Sequence, residues 1–414
     1  MKNEFKYIIH NNGDTSRKDP SKAKEMFPME RAWDARRFHR QIPNYHMTPL
    51  AALPNLSQLL GVGGIYVKDE SLRLHMSSFK VMGGSYAVYR LVKQLLGKED
   101  EDLSYEYLLS KECHDALGDV VFCSATDGNH GRGLAWACQK LNHPCKIYVH
   151  SETSQPRIDA IKRFGAEVTV VQGNYDDAVR QAAADAEKNG WYVVSDTSWE
   201  GYEEIPTWIM QGYTSILLEA QEQFSGMGIV KPTHVIVQAG VGALAAAVVG
   251  FYSALFPNDP PLFIVAEPDQ AACIYESIAA GDGKCHTVEG DLATIMAGLA
   301  CGEPSPIAFD ILKNNADIFI QAPDNVAARG MRILGCPLHG DPIVISGESG
   351  ALPLGTLFAL CTDEIDEELK NVLKLDENSQ IFMINTEGNT DPIEFRRILW
   401  DGKNPVPTRF QIQE

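Results

Sequence analysis

A chain of 414 residues with 36 Lys and Arg against 55 Asp and Glu has a formal charge of −19, a balance that repels phosphate backbones and argues against nucleic acid as a partner. With 44% hydrophobic and 22% charged residues it is too apolar for wholesale disorder, and its length calls for about two or three domains. Its nine cysteines include no C-x-x-C pair, which argues against a metal site or a disulfide framework and suits a reducing, cytoplasmic setting.

The first twenty residues hold no apolar stretch of signal-peptide length. Further on, in SSFKVMGGSYAVYRL, Val81, Ser85, Val88, Val92 and Leu95 share one face of a helix that begins near Lys80. A helix N-terminus opposes an ammonium, so it favours at Lys80 the neutral amine that a Schiff-base nucleophile requires. An ordinary exposed lysine is the other reading of this turn alone. The acidic run from Lys98 to Glu112 (KEDEDLSYEYLLSKE) reads as a solvated insertion near a domain edge, with a partner surface as the alternative.

From about residue 120 short β-branched runs alternate with helical patterns. DVVFC predicts a strand ending at Cys123, and a helix follows from about Gly131 to Leu141. Next come KIYVH, a helix over Gln155–Phe164 stopped at Gly165, EVTVV, a helix capped by Asn174 and ending near Gly190, and WYVVS. THVIVQ, LFIVAE, ADIFIQ, PIVIS and QIFMIN continue the series. Such alternation predicts an α/β protein with mostly parallel sheets covered by helices, and about nine strands favour two domains over one. The uncharged run Thr233–Pro257 contains His234, Gln238, Gly240 and Gly242, so it reads as a buried strand–loop–helix and no membrane partner is expected.

Ligands of such sheets bind beyond the carboxyl ends of the strands, so the turns there carry the chemistry. In ATDGNHGRG, successive N–H groups can bind a carboxylate, Asn129 offers an amide to a phenolic or carbonyl oxygen, and Asp127 adds a carboxylate. Asp127 and Asn129 read equally well as capping and turn residues. In SDTSWEGYEEIP, Asp196 follows a strand, and Trp199, Tyr202 and Trp208 read more readily as core than as ligand contacts. AGVGAL, with Gly240, Val241, Gly242, Ala243 and Leu244, lets the backbone approach a phosphate at a helix N-terminus. It is too short for the dinucleotide fingerprint, and no P-loop lysine follows, so a phosphorylated cofactor fits best. ISGESGA and INTEGNTD are two further polar turns after apolar strands.

In this order the turns resemble the fold-type II pyridoxal-phosphate enzymes, the tryptophan synthase β-like family. SSFKVMGG resembles its Schiff-base segment, ATDGNHGRGLA its S-x-G-N-H-x-x-G-x-A loop, and AGVGAL its phosphate loop, with VAEP, TIMAGLACGEPS and ISGESGA as further counterparts. Asp127, before Gly-Asn-His, and the INTEGNTD turn depart from threonine dehydratase; with SDTSWEGYEEIP they look most like the diaminopropionate ammonia-lyases. The resemblance implies a large cofactor-binding domain of residues 1–88 and 220–414, a small domain of residues 89–219, and an active site in the cleft between them.

It further implies pyridoxal 5'-phosphate bound by Lys80, with Asn129 on its 3′-oxygen, the amides of Gly240 to Leu244 on its phosphate and Thr386 facing its pyridine nitrogen. Ser77, Thr126, Asp127, His130 and Asp196 would face an amino-acid substrate, with Lys80 and Asp127 as bases on opposite faces. The implied reaction converts 2,3-diaminopropionate of either hand to pyruvate and two ammonia molecules, in a homodimer. A threonine/serine or D-serine dehydratase, or a catalytically silent binding protein on the same scaffold, are the alternatives.

Overall fold

The computed structural model describes residues 5–11, 13–126, 128–363 and 365–412. Within them eleven strands form: β1 (Lys6–Ile9), β2 (Leu50–Ala52), β3 (Gly64–Asp69), β4 (Phe122–Thr126), β5 (Cys145–His150), β6 (Glu167–Val171), β7 (Tyr192–Val193), β8 (His234–Gln238), β9 (Leu262–Pro268), β10 (Ile318–Ala322) and β11 (Gln380–Asn385). The chain divides into two compact units. One holds the residues up to Pro28, Met47–Ser77 and everything from Leu217; the other holds Met29–His46 and Ser78–Ile216.

The first unit is built on a seven-stranded sheet of order β1-β10-β9-β8-β11-β3-β2. Its five inner strands run parallel, and β1 and β2 close the two edges antiparallel. Strands β8 and β10 are buried at every position, which is why their sequences read as unbroken apolar runs: helices cover both faces of a parallel sheet. The helix Ala243–Leu255 owes its depth to small side chains. A Cβ on Gly250 would lie 2.4 Å from the Phe27 ring.

The second unit carries a parallel four-stranded sheet of order β6-β5-β4-β7. The expected division at residues 88 and 219 falls instead at 77 and 216, and residues 29–46 join this unit. Packing explains the shift. Tyr86 Oη donates to Asp34 at 2.7 Å, His39 Nε2 donates to the Met82 carbonyl at 2.9 Å, and Phe38 stacks on Tyr89 with centroids 4.3 Å apart. The helix Lys80–Leu95 is thus bound to the helix Met29–Gln41 along its length.

Two expected strands differ. β4 runs on to Thr126 rather than ending at Cys123. PIVIS forms no strand: only Val344 of its three β-branched residues is buried, while Ile343 and Ile345 are exposed, so there is no apolar face to drive it onto a sheet. The acidic run at 98–112 is solvated on its charged positions, yet Leu103, Tyr105 and Leu108 anchor it in the core. No helix among the described residues is long and apolar enough to cross a membrane.

Candidate active site

In the second unit, β4 passes through Gly128 directly into the helix Asn129–Lys140, two residues earlier than its periodicity predicts. Thr126 is buried, and its Oγ1 accepts from the N–H groups of Gly128 and Gly131, both at 2.9 Å. Its hydroxyl oxygen thus caps the start of this helix. The glycines of this motif serve packing. A Cβ on Gly131 would meet the Thr126 methyl at 2.5 Å, and one on Gly133 would meet the Val81 backbone at 3.0 Å. The lysine-bearing helix and the Asn129 helix thereby lie backbone against backbone.

Lys80 is the first residue of its helix, as its periodicity predicts. Its ammonium is not left facing the helix dipole: Nζ donates to Asp196 Oδ2 in an ion pair whose side chains are almost withdrawn from solvent. The pair replaces the neutral amine expected from the helix terminus alone, because a buried carboxylate outweighs a partial dipole charge. Burial by itself would push Asp196 up, but the positive charge of Lys80 prevails and holds its carboxyl down at about 2. Tyr202 fixes the Asp196 loop. Its Oη donates to the Val193 carbonyl and accepts from Ser195 N–H, both at 2.9 Å, while its ring stacks on Trp199. The aromatics of this segment are scaffold.

Asn129 stands at the helix start, its Oδ1 accepting from Arg132 Nη2 at 3.1 Å. His130 is buried beside Asp196, with Nε2 donating to the Val194 carbonyl at 2.8 Å. Asp127 lies outside the described residues.

In the first unit, β8 ends at Gln238 and turns through Gly240 and Gly242 into the helix Ala243–Leu255. Gly242 has φ +97°, a left-handed conformation that suits glycine. A Cβ on Gly240 would lie 3.2 Å from both Cys301 Sγ and the Leu299 Cα. No side chain caps this helix, which leaves its first N–H groups available to an anion. Thr386, just past β11, is buried, and its Oγ1 accepts from Gln238 Nε2 at 3.0 Å. Its own proton can therefore be donated elsewhere, as an unprotonated pyridine nitrogen requires. Gln238, which donates to this hydroxyl and to the Ser349 carbonyl, and Asn385, the residue before Thr386, each bury an amide oxygen without a hydrogen-bond partner, as Ser349 does its hydroxyl, so unmatched polar atoms gather on the residues of this turn. The residues of this turn thus fit a phosphorylated pyridine cofactor.

Ser77 has φ +48°, and its carbonyl accepts from Gly388 N–H at 3.0 Å, which ties it to the turn after Thr386. The two late turns interlock: Gly347 N–H donates to the Glu387 carbonyl at 2.9 Å, and a Cβ on Gly350 would strike Asn385 Oδ1 at 2.3 Å. Sequence reasoning missed the roles of Gln238, Ser349 and Asn385. A polar residue closing a buried parallel strand was the available signal for the first and the last.

The pyridoxal-phosphate dependent enzyme family matches residues 42–375. A diaminopropionate ammonia-lyase of Escherichia coli strain K12 is 46% identical over 396 residues, which are 95% of this chain and 96% of that one. The crystal structure of the E. coli diaminopropionate ammonia-lyase in complex with D-serine superposes with a TM-score of 0.88 at 42% identity, covering 98% of this chain and 100% of that one. The same enzyme in complex with an aminoacrylate-PLP azomethine reaction intermediate gives a TM-score of 0.85 at 42% identity, covering 97% and 98%.

Proposed function

The chain belongs to the diaminopropionate ammonia-lyases of the pyridoxal-phosphate dependent enzyme family, and on that premise we propose that it eliminates ammonia from L- and D-2,3-diaminopropionate, the product then taking up one water to give pyruvate and a second ammonia. Lys80 would hold the carbonyl carbon of pyridoxal 5'-phosphate, Asn129 its 3′-oxygen, the N–H groups of Gly240 to Leu244 its phosphate, and Thr386 its pyridine nitrogen. When bound, the cofactor draws electron density from the amino acid's α-carbon and so makes the α-proton removable.

The chain's own residues do the rest. The Lys80 amine takes the α-proton of the L-substrate, and Asp127 that of the D-substrate, since each proton needs a base on its own face. Ser77 and His130 line the substrate. Asp196 carries the reading: a carboxylate shut away from water that already binds one primary ammonium suits the β-ammonium of diaminopropionate. The β-nitrogen leaves as neutral ammonia with the pair from the broken C–N bond, so no acid is needed to expel it. The enzyme would act as a cytoplasmic homodimer. Nine cysteines present as free thiols suit that compartment, and light scattering tests the dimer.

The deciding experiment measures release of pyruvate or 2-oxobutyrate from L- and D-2,3-diaminopropionate, L-threonine and D-serine. Turnover of both diaminopropionate enantiomers is expected. Turnover of the hydroxyamino acids alone would replace this reading with a dehydratase, and a protein without the visible absorbance of lysine-bound cofactor would be a silent binding protein.

A further inference from the structure

His130 is almost wholly buried, at 1% exposure, and its two ring nitrogens have different fates. Nε2 lies 2.8 Å from the carbonyl oxygen of Val194. A carbonyl only accepts, so Nε2 carries a proton. Nδ1 has no hydrogen-bond partner and lies 3.9 Å from Asp196 Oδ2. That separation is too long for Nδ1 to be donating to the carboxylate. A proton on Nδ1 would be a buried donor with no acceptor within hydrogen-bond distance, whereas a lone pair there leaves no donor unmatched. Nδ1 is therefore a bare acceptor.

The loop after β7 and the start of the helix Asn129–Lys140 thus bring together two acceptors, a carboxylate oxygen and an imidazole lone pair, 3.9 Å apart. A nitrogen at ordinary hydrogen-bond distance of about 2.9 Å from each fits on that base. It must bring two protons to be held by both. An ammonium does so; a hydroxyl brings one, and leaves either Asp196 or His130 unmatched. The occupant of Asp196 here is an ammonium, that of Lys80.

We propose that His130, with Asp196, sets the specificity of the enzyme, its Nδ1 accepting the second hydrogen bond of the substrate's β-ammonium and so favouring a 2,3-diamino acid over a 2-amino-3-hydroxy acid. This rests on the reading that the chain acts on diaminopropionate. The Val194 carbonyl is the positioning group, since it keeps the proton on Nε2 and the lone pair on Nδ1.

The test uses holoenzyme. His130→Gln keeps a donor for Val194 and loses the acceptor at Nδ1, whereas His130→Asn keeps an acceptor near that point. His130→Gln is expected to lower the ratio of kcat/KM for diaminopropionate over D-serine at least tenfold, chiefly through KM, the loss typical of an uncompensated hydrogen bond to a charged group. His130→Asn should restore most of that ratio. Nitrogen-15 spectra of histidine-labelled, substrate-free holoenzyme should show an unprotonated Nδ1, whose signal shifts when diaminopropionate is added. Equal losses on both substrates overturn the proposal, and so does a proton on Nδ1 in the wild-type enzyme, whether or not either variant folds. Wild-type enzyme that ignores diaminopropionate overturns the parent reading; wild-type turnover with an unchanged ratio in His130→Gln overturns this inference alone.

Discussion

Gly133 and Val81 meet backbone to backbone: a Cβ on Gly133 would lie 3.0 Å from both the nitrogen and the Cα of Val81, and 3.2 Å from the carbonyl carbon of Lys80. None of these atoms can rotate away. Gly133→Ala must therefore push the lysine-bearing helix off the Asn129 helix by a few tenths of an ångström. The expected cost is about 1–3 kcal/mol of stability and, because reacting groups tolerate little misplacement, roughly a tenfold or larger loss of kcat. Gly84→Ala is the control, since its Cβ would meet Leu134 at an ordinary 3.5 Å, and it should leave both quantities near wild type. Urea melts and steady-state rates check the pair.

The Lys80–Asp196 ion pair gives the apoprotein an acid limb. Asp196 titrates at about 2 against an ordinary 3.8, so the pair's contribution is present above the ordinary value and is lost as pH falls through about 2. Its size is on the order of 2 kcal/mol. Asp196→Asn should lose that limb in acid-denaturation curves of apoprotein. In holoenzyme it should raise KM for diaminopropionate about tenfold or more; an unchanged KM would remove Asp196 from substrate recognition.

Much of this site is legible in the chain because its chemistry sits at the ends of strongly apolar parallel strands. Lys80 at a helix start and Gly240–Leu244 at a strand end follow from local periodicity. What local pattern does not hold is who meets whom. The Lys80 ammonium is set by Asp196, more than a hundred residues away, and the need for glycine at 133 is set by the Val81 backbone. PIVIS has strand propensity, yet no sheet edge takes it. The helix Met29–Gln41 is hard to read from the chain because its packing surface is mixed: Asp34 and His39 are buried with Phe38, satisfied by Tyr86, Ser215 and Met82.

In the proposed two-base arrangement, Asp127 serves one hand of the substrate and Lys80 the other. If it is the base for the D-enantiomer alone, Asp127→Asn should cut D-diaminopropionate turnover by about a hundredfold or more while sparing most L-turnover. Assay of each enantiomer separately checks this, and equal loss on both would remove the two-base arrangement.

Arg73 is locked in a fully buried cluster that precedes the lysine segment. Its guanidinium donates to Glu70 and, through Nη1 and Nη2, to Glu219 at 2.9 and 2.7 Å, while Lys68 pairs with Glu219 at 2.7 Å. Burial opposes the charge on Glu219, but Arg73 and then Lys68 overcome it and hold that carboxyl well below its usual range. The next residues are strained: Leu74, His75 and Ser77 all have φ between 47° and 59°, a conformation such side chains keep only when their surroundings enforce it. Glu219→Gln leaves two buried cations against one carboxylate and should cost about 3–5 kcal/mol. Denaturant melts measure it, and the loss of cofactor absorbance should come at lower denaturant than in wild type.

Glu267 gives the opposite pH dependence. It is fully buried on β9 and accepts from the Ile274 and Tyr275 N–H groups at 2.8 and 2.7 Å, where the helix Cys273–Ala280 begins. Burial outweighs these two donors and pushes its carboxyl up to about 8 from an ordinary 4.5. A raised acid stabilises the fold in full below its unfolded value, and that contribution is lost as pH rises through about 8. Wild-type protein should therefore lose a few kcal/mol between pH 5 and pH 9 that Glu267→Gln, which keeps one acceptor oxygen and cannot ionise, does not lose. Urea melts of both proteins across that range check the sign. A wild-type curve parallel to that of the glutamine variant would mean that the two N–H donors win and that Glu267 is ionised throughout.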